Sequence, residues 1–159
     1  MYNIYNLIFV FGAQYLYLII IIIALIWFLI QPRSKQKEIF IISCICLPLV
    51  YLVAKFASHF YYNPRPFVSG HFKPLIPHKA NNGFPSHHIL LVSMISVVVF
   101  LFNRRISSVL WVLTLFVGIS RIYVGIHHLA DIIGSIFISV MVVSIVYFTM
   151  TYFRRRNDK

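Results

Sequence analysis

Charged side chains are scarce in this chain of 159 residues, and acidic ones are the scarcest. Charged residues make up 11% of the sequence and hydrophobic residues 60%, a composition that excludes a soluble globular domain. Residues 1–32 contain no Asp, Glu, Lys or Arg. Three later apolar stretches approach or exceed the roughly 17–25 residues that a membrane-spanning helix needs. The sequence therefore predicts an all-α integral membrane protein, a helical bundle of five to six transmembrane helices.

Two further absences limit the interpretation of the first segment and of the cysteines. No basic region precedes the first apolar run and no small-residue cleavage site closes it, so we expect this segment to remain rather than to be cleaved as a signal peptide. Cys44 and Cys46 have no second pair that could complete a metal site, so they are expected to pack in the core or to face lipid, without a disulfide. Residues 1–159 are expected to form a single membrane-embedded domain.

Apolar segments and breaks between them predict the order of the helices. The predicted spans cover residues 1–30, 39–60, 86–102, 108–123 and 128–153. The first segment is either one long tilted span or a short interfacial lead-in followed by a span over 16–30, and we favour the second. Residues 31–38 and 103–107 are predicted to be short basic turns. Residues 61–85, rich in Pro, Gly and Asn, predict a long loop, and a loop of this length in a compact chain is usually functional or disordered.

The net charge of +11 is distributed as a membrane topology predicts. Alternating spans place nine cations at one end, namely Arg33, Lys35, Lys37, Arg104, Arg105, Arg154, Arg155, Arg156 and Lys159. By the positive-inside rule this end, with the C-terminus, is expected to be cytoplasmic, in a bacterial inner membrane, and the opposite end to face the periplasm or exterior. This distribution favours topology over a nucleic-acid-binding face.

All seven histidines, from His59 to His128, are predicted near the outer membrane surface. Asp131 is the only acidic residue predicted there, because Glu38 and Asp158 fall at the opposite end. Hydrophobic periodicity does not require such a clustering of polar residues. The cluster therefore indicates a functional site.

The segment Ser120–Asp131, SRIYVGIHHLAD, concentrates the polar residues of this cluster. His127 and Asp131 stand at i,i+4, so in a helix that begins here their side chains would lie one turn apart on one face. A carboxylate in that position can fix the tautomer of the imidazole and support its positive form.

Two arginines and the start of a helix are suited to holding a phosphate. Arg65 and Arg121 are planar guanidinium forks that can make bidentate contacts with phosphoryl oxygens. Pro85 and Ser86 stand where the third span begins, with Ser86 a candidate N-cap, and free backbone N–H groups at such a position favour an anion.

His88 and His127 can divide the chemistry of phosphate removal. One attacks phosphorus as a neutral imidazole, and the other protonates the departing oxygen. His127 is the better nucleophile because Asp131 stabilises the charge that grows on it. His88 would then be the general acid, and later the base that activates the attacking water.

These pieces resemble the signature of the type-2 phosphatidic acid phosphatase superfamily, K-x6-R-P, P-S-G-H and S-R-x5-H-x3-D. The third motif is complete within Ser120–Asp131, and the second is present at 85–88 with His87 in the glycine position. The first has Arg65 and Pro66, but Ser58 occupies the lysine position.

The departures from the signature affect two predicted phosphate contacts. His87 still offers its backbone N–H, although its side chain would crowd or extend the site. Lys55, one helical turn before Ser58, either supplies the missing lysine or snorkels from an outer helix end.

The match over about residues 55–134 is most similar to the bacitracin-resistance type of undecaprenyl-diphosphate phosphatase. This resemblance implies metal-independent removal of the terminal phosphate of undecaprenyl diphosphate through a phosphohistidine intermediate, with no cofactor. A lipid diphosphate and membrane lipids are then the expected partners. The single outward carboxylate agrees, because it is too few for the oxygen-rich site that Mg²⁺ normally uses.

Other functions stay open at this point. The lipid could instead be phosphatidic acid, phosphatidylglycerol phosphate or a lipid A phosphate. The protein could be a transporter or binding protein for anionic lipids, which would need the arginines but not both histidines. The histidines could ligate haem, zinc or copper, although adjacent pairs such as His87-His88 and His127-His128 do not face one way on a helix.

Overall fold

A computed structural model describes residues 3–157 of the chain. Within these residues the chain forms helices, turns and loops without a β-strand, in the order α1 (Ile4–Gln14), α2 (Leu16–Leu29), α3 (Arg33–Phe60), α4 (Pro66–Ser69), α5 (His87–Phe100), α6 (Arg104–Tyr123) and α7 (Leu129–Asn157). The predicted positions of Asp158 and Lys159 at the basic end lie outside the described residues.

The helices fall into two classes by length. Three of them, α3, α6 and α7, are long and apolar enough to cross a membrane, and α1 with α2 passes the same test as a pair bent by 49°. Helix α5 has 14 residues, about 21 Å at 1.5 Å per residue, which is shorter than a typical hydrocarbon core of about 30 Å. The predicted multi-pass helical membrane bundle is confirmed, with α5 as its short member.

Helix α5 is the buried centre of the bundle. Nine of its residues are buried, from Ile89 to Val99, and it packs against α2, α3, α6 and α7. A helix that is apolar on every side needs neighbours on every side, which explains its uniform sequence. Long apolar side chains on the outer helices remain exposed, as expected for surfaces that contact lipid.

Small hydroxyl residues join α5 to its neighbours. Ser96 Oγ and Thr114 Oγ1 lie 3.2 Å apart, Ser107 Oγ donates to the Ser96 carbonyl at 2.8 Å, and Ser139 Oγ donates to the Leu90 carbonyl at 2.9 Å. Small residues allow helix backbones to approach closely inside a membrane, where interhelical hydrogen bonds add to packing.

The two basic turns, predicted at 31–38 and 103–107, are shorter in the structure. Helix α3 begins at Arg33, directly after Pro32, and α6 begins at Arg104, where Asn103 Oδ1 accepts from the Ile106 N–H at 3.1 Å. Arg, Lys, Gln and Glu are good helix formers, so the basic residues extend the helices beyond the apolar segments. Near the start of α3, Gln36 Nε2 also donates to the Leu29 carbonyl at 3.0 Å and so provides a partner for the end of α2.

The bundle has two chemically different ends. The basic end holds the start of α3, the start of α6 and the end of α7, where Arg154 lies 3.4 Å from Glu38. The loop end holds the end of α3, the start of α5, the turn between α6 and α7, and residues 61–86. There Ile76 is buried against Ala13, Val124 and Ile126, and the Leu75 N–H donates to the Val124 carbonyl at 3.1 Å. The long loop therefore packs against α1 and against the turn between α6 and α7.

Candidate active site

The turn between α6 and α7 brings His127 and Asp131 together. Gly125 has a φ of 81°, a left-handed conformation that glycine adopts without a steric penalty, and this allows the chain to reverse. His127 lies before α7 rather than inside it, yet its Nδ1 is 3.1 Å from Asp131 Oδ2. The same oxygen accepts from the His128 N–H at 2.8 Å, the reciprocal contact of a capping box.

The second oxygen of Asp131 accepts from Asn63. Asn63 Nδ2 lies 2.7 Å from Oδ1, and the carboxylate is fully buried. Because both oxygens are held by donors, the carboxylate has a fixed orientation and favours the proton of His127 on Nδ1. The lone pair of His127 is then on Nε2.

Both predicted phosphate-binding arginines reach His127 Nε2. Arg65 Nη1 lies 3.3 Å from this nitrogen and Arg121 Nη2 lies 3.4 Å from it. Arg65 is also fixed by the Ile126 carbonyl at 2.8 Å and by Asn81 Oδ1 at 2.9 Å. The two arginines, 6% and 3% exposed, thus converge on the Nε2 edge of the imidazole.

Burial and the arginines keep His127 uncharged. Burial, with the nearby charges of Arg121 and Arg65, lowers the pKa of His127 to about 4, although the hydrogen bond to Asp131 opposes this shift. Burial also lowers the pKa of the Arg65 guanidinium while Asp131 opposes it, and an arginine stays protonated at neutral pH. The site therefore combines a neutral imidazole with two cations.

The start of α5 contributes the predicted serine and two histidines. Ser86 is the N-cap residue, and its N–H donates at 2.8 Å to the hydroxyl of Ser135, which in turn donates to the Asp131 carbonyl at 2.6 Å. The Ser86 hydroxyl does not cap the helix; it is buried and has no hydrogen-bond partner among residues 3–157. The ring of His88 packs edge-on against Tyr17 at 4.6 Å.

A cavity of about 390 Å³ lies at the loop end. Its lining residues are Ser58, Arg65, His78, Asn81, Asn82, Phe84, Pro85, His87, His88, Arg121 and His127. The cavity brings together both predicted catalytic histidines, both predicted arginines and His87. Asp131 lies behind His127 as its buried support.

Asparagine residues of the long loop form part of the site, although they were not among the residues predicted from the sequence. Asn82 Oδ1 accepts from the N–H groups of Asn63 and Phe84, and its Nδ2 donates to the carbonyls of Ser58 and Tyr61. Asparagine is common in loops, so only its spacing from glycine and proline could have drawn attention to it.

Gly83 lies where the long loop passes closest to Asp131. Its N–H donates to the Asn63 carbonyl at 2.8 Å. A Cβ added at this position would lie 2.9 Å from Asp131 Oδ2 and 3.1 Å from the Asn63 carbonyl oxygen. This part of the loop therefore has no room for a side chain.

Two predicted phosphate contacts, Lys55 and Ser86, are not among the residues that line the cavity. Lys55 is exposed and lines a surface groove with Leu52, Phe56, Ser58 and His59, and of these residues Ser58 also lines the cavity. His128, next to the predicted nucleophile, points its Nε2 to the Pro64 carbonyl at 3.1 Å and supports the loop.

Metal ligation was one alternative use of the histidines. Among residues 3–157, His, Cys, Asp and Glu side chains do not gather in a group of three that could hold a metal ion. The cavity instead contains the guanidinium groups of Arg65 and Arg121, which are donors suited to an anion.

A sequence model of the PAP2 superfamily matches residues 38–155, which includes every predicted site residue. Undecaprenyl-diphosphatase BcrC of Bacillus subtilis (strain 168) is 32% identical over 124 residues, or 77% of this chain and 62% of that protein. Bacitracin transport permease protein BcrC of Bacillus licheniformis is 27% identical over 149 residues, or 93% of this chain and 73% of that protein. This chain thus spans less than two thirds of the Bacillus subtilis relative.

Two solved structures share the fold. LpxE of Aquifex aeolicus has a TM-score of 0.70 and 20% sequence identity, over 92% of this chain and 87% of its own. A PAP2-type phosphatidylglycerolphosphate phosphatase of Bacillus subtilis has a TM-score of 0.59 and 20% identity, over 91% of this chain and 74% of its own. At this level of identity the likeness concerns the arrangement of helices.

Proposed function

The chain belongs to the PAP2 superfamily, and on that basis we propose that it is a membrane lipid phosphatase that removes the terminal phosphate of undecaprenyl diphosphate. The observation that carries the proposal is the convergence of Arg65, Arg121 and the Asp131-supported His127 on one cavity. The name of the Bacillus subtilis relative supports this choice of substrate.

His127 is the proposed nucleophile. Its Nε2 lone pair attacks the distal phosphorus while the bond from phosphorus to the bridging oxygen breaks. The Nδ1 proton stays on the ring, and Asp131, 3.1 Å away, stabilises the positive charge that develops there. The products of this step are phosphohistidine and the lipid monophosphate.

His88 is the proposed general acid. It lines the same cavity as His127 and donates a proton to the bridging oxygen as that oxygen leaves with the lipid. In the second step His88 accepts a proton from water, the water oxygen attacks phosphorus, and phosphate leaves from a regenerated His127. The negative charge of the bound diphosphate favours the protonated form of His88, which can then act as the acid.

The arginines and the start of α5 are proposed to hold the phosphoryl oxygens. Arg121 Nε and Ser86 Oγ are buried and have no hydrogen-bond partner within 3–157. Arg121 lines the cavity, and Ser86 lies between the lining residues Pro85 and His87. Charge that develops on the transferring phosphoryl group would be stabilised by fixed donors, an effect usually worth about 10²–10³ in rate for each donor. No metal is required in this scheme, because the guanidinium groups supply the positive charge.

The cavity is proposed to face the periplasm or exterior. The described cations of the basic end lie at the opposite side of the bundle from the cavity, as the positive-inside rule requires for a cytoplasmic end. The lipid tail would remain among the helices while the diphosphate reaches the loop end. Undecaprenyl diphosphate and the surrounding membrane lipids are the proposed partners.

A lipid panel tests the proposal. Purified protein in detergent is supplied with undecaprenyl diphosphate, phosphatidic acid, phosphatidylglycerol phosphate or a lipid A phosphate, and released phosphate is measured with and without EDTA. We expect the highest kcat/KM with undecaprenyl diphosphate, unchanged by EDTA and inhibited by vanadate. Loss of activity on chelation would contradict the metal-free mechanism, and a preference for another lipid would change the substrate.

Two histidine variants test the role of the site itself. His127→Ala should abolish turnover and retain lipid binding, whereas His71→Ala, an exposed loop residue, should behave as the wild-type protein. Binding of the lipid without phosphate release by the wild-type protein would instead support a transporter or binding protein. A fully active His127→Ala variant would rule out this nucleophile.

A further inference from the structure

The N-terminal helix pair reaches the active site from outside the family match. Helices α1 and α2 occupy residues 4–29, and the PAP2 sequence model matches only from residue 38. The two helices meet at Tyr15 at an angle of 49°. We call residues Gly12–Tyr17, which include this break, the elbow.

The elbow presents a backbone carbonyl to Arg121. Ala13 is fully buried, and its carbonyl oxygen accepts from Arg121 Nη1 at 2.9 Å. The last four carbonyls of a helix have no partner within that helix, and they carry the negative end of its dipole. The break at Tyr15 therefore turns the end of α1 into an acceptor for a buried guanidinium.

This contact leaves the rest of the guanidinium directed at the reaction centre. Arg121 Nη2 lies 3.4 Å from His127 Nε2, and its Nε has no hydrogen-bond partner within the described chain. Anchoring Nη1 fixes the plane of the fork, because the guanidinium is rigid. The position of the α1 carbonyl thus determines where the two remaining nitrogens point.

Close packing fixes the elbow against α6. A Cβ added to Gly12 would overlap Ser120 Oγ, one residue before Arg121, and would lie 3.0 Å from Ser120 Cβ. Ala13 packs with Ile76, Val124 and Ile126 beneath the site. The elbow is therefore held by the same residues that carry Arg121 and His127.

The other side of the elbow contacts the proposed general acid. Tyr17, in the first turn of α2, packs with its ring edge-on to His88 at a centroid distance of 4.6 Å. Leu16 and Ile20, on either side of Tyr17, are buried and anchor this turn to the bundle.

We propose that the elbow is a positioning element of the active site, which orients Arg121 through the Ala13 carbonyl and His88 through the Tyr17 ring. This inference rests on the proposed function in giving Arg121 and His88 their roles. It adds that residues before the PAP2 match are needed for turnover and not only for membrane insertion.

Gly12→Ala tests the carbonyl half of the elbow. The added methyl group would push α1 away from Ser120 and displace the Ala13 carbonyl, and a displacement of about 1 Å in a catalytic constellation can cost about 10²-fold in rate. We expect kcat for undecaprenyl diphosphate to fall by about tenfold or more and the affinity for vanadate, measured by calorimetry, to fall with it. Leu7→Ala, on the exposed face of α1, is the matched control and should change neither.

A double variant separates positioning from a general loss of folding. Replacing Ser120 by Ala as well removes the hydroxyl that the new methyl group meets. Gly12→Ala should therefore lower kcat and vanadate affinity less in the Ser120→Ala background than in the wild-type protein. Wild-type kcat and vanadate affinity in Gly12→Ala would overturn the carbonyl contact as a positioning device.

Tyr17→Ala and Tyr17→Phe test the second half. Tyr17→Ala should lower kcat with little change in KM, and Tyr17→Phe, which keeps the ring edge, should restore it. Equal losses in both variants, or none in Tyr17→Ala, would overturn the role of the ring. If the wild-type protein hydrolyses none of the lipid phosphates, the proposed function fails, while the vanadate affinities of the Gly12 variants still decide whether the elbow orients Arg121.

Discussion

The two ends of the bundle both concentrate positive charge, but they hold it differently. At the loop end Arg65 and Arg121 are buried and hydrogen-bonded to carbonyls, asparagine and His127. At the basic end Arg154 has a side chain that is 73% exposed and lies 3.4 Å from Glu38. Buried guanidinium groups have lost most of their water, so their remaining donors are strong ligands for an anion, whereas exposed ones mainly set the orientation in the membrane.

The largest expected difference between the ends concerns their acidic residues. Asp131→Asn removes the negative charge and replaces one acceptor oxygen by an NH₂ donor, so the tautomer of His127 is no longer fixed. The corresponding change in a Ser-His-Asp triad costs about 10⁴ in kcat. We expect a loss of about 10³–10⁴ in kcat from phosphate-release assays. Glu38→Gln, which breaks an exposed ion pair at the basic end, should leave kcat within about twofold. Comparable losses in the two variants would remove the distinction between the ends.

The arginines give the next largest contrast. Arg65→Lys keeps the charge but cannot reproduce the contacts to the Ile126 carbonyl, Asn81 and His127 together, so kcat/KM should fall by about 10²-fold. Arg154→Lys should retain wild-type kcat/KM because its environment is exposed. An Arg65→Lys variant with normal kcat/KM would show that the charge alone is sufficient.

The pH dependence of catalysis should report the buried environment of His127. The neutral imidazole is the proposed nucleophile, and its pKa is lowered from the usual 6.5 to about 4. The acidic limb of kcat/KM should therefore lie near pH 4, with activity lost as the pH falls through that value. Asp131→Asn removes the carboxylate, whose charge and charge-assisted hydrogen bond raise this pKa, so the limb of its residual activity should move to lower pH. A limb near 6.5 in the wild-type protein would indicate a solvated histidine.

The smallest expected effects are on stability and come from replacing an asparagine at each end of the bundle, Asn82 or Asn103. Asn82→Ala leaves the N–H groups of Asn63 and Phe84 without their acceptor, which should cost about 1–3 kcal/mol in unfolding free energy and also lower kcat. Asn103→Ala removes the N-cap of α6 at the basic end and should cost about 1 kcal/mol without an effect on kcat. Thermal unfolding in detergent and phosphate release measure the two quantities.

The residues that sequence could identify are those that are chemically out of place. An aspartate and histidines at helix ends are conspicuous in an apolar chain, which is why the sequence predicts His88, His127 and Asp131 as site residues. In the structure His88 and His127 line one cavity, and Asp131 contacts His127 from behind. Long apolar runs likewise predicted the order of the helices. The starts of α3 and α6 were misplaced because basic residues can belong to either a turn or a helix.

The supporting contacts could not be predicted because they join distant parts of the chain. Asn63 reaches Asp131 across 68 residues, and Asn82 reaches Asn63 across 19. The contact between the Ala13 carbonyl and Arg121 spans 108 residues and uses a backbone atom that every residue type has. Lys55 illustrates the opposite case, since it lies one helical turn before the lysine position of the motif while its side chain lines another surface.

Gly83 is required by the packing of the loop and not by the proposed chemistry. A side chain here would collide with the Asp131 carboxylate and the Asn63 carbonyl, although the residue takes no part in the proposed reaction. A diverged copy of this chain that has lost His127 but keeps glycine at this position would still be expected to build the same loop around its carboxylate. The glycine at this position would distinguish such a copy from one that has lost the loop structure as well as His127.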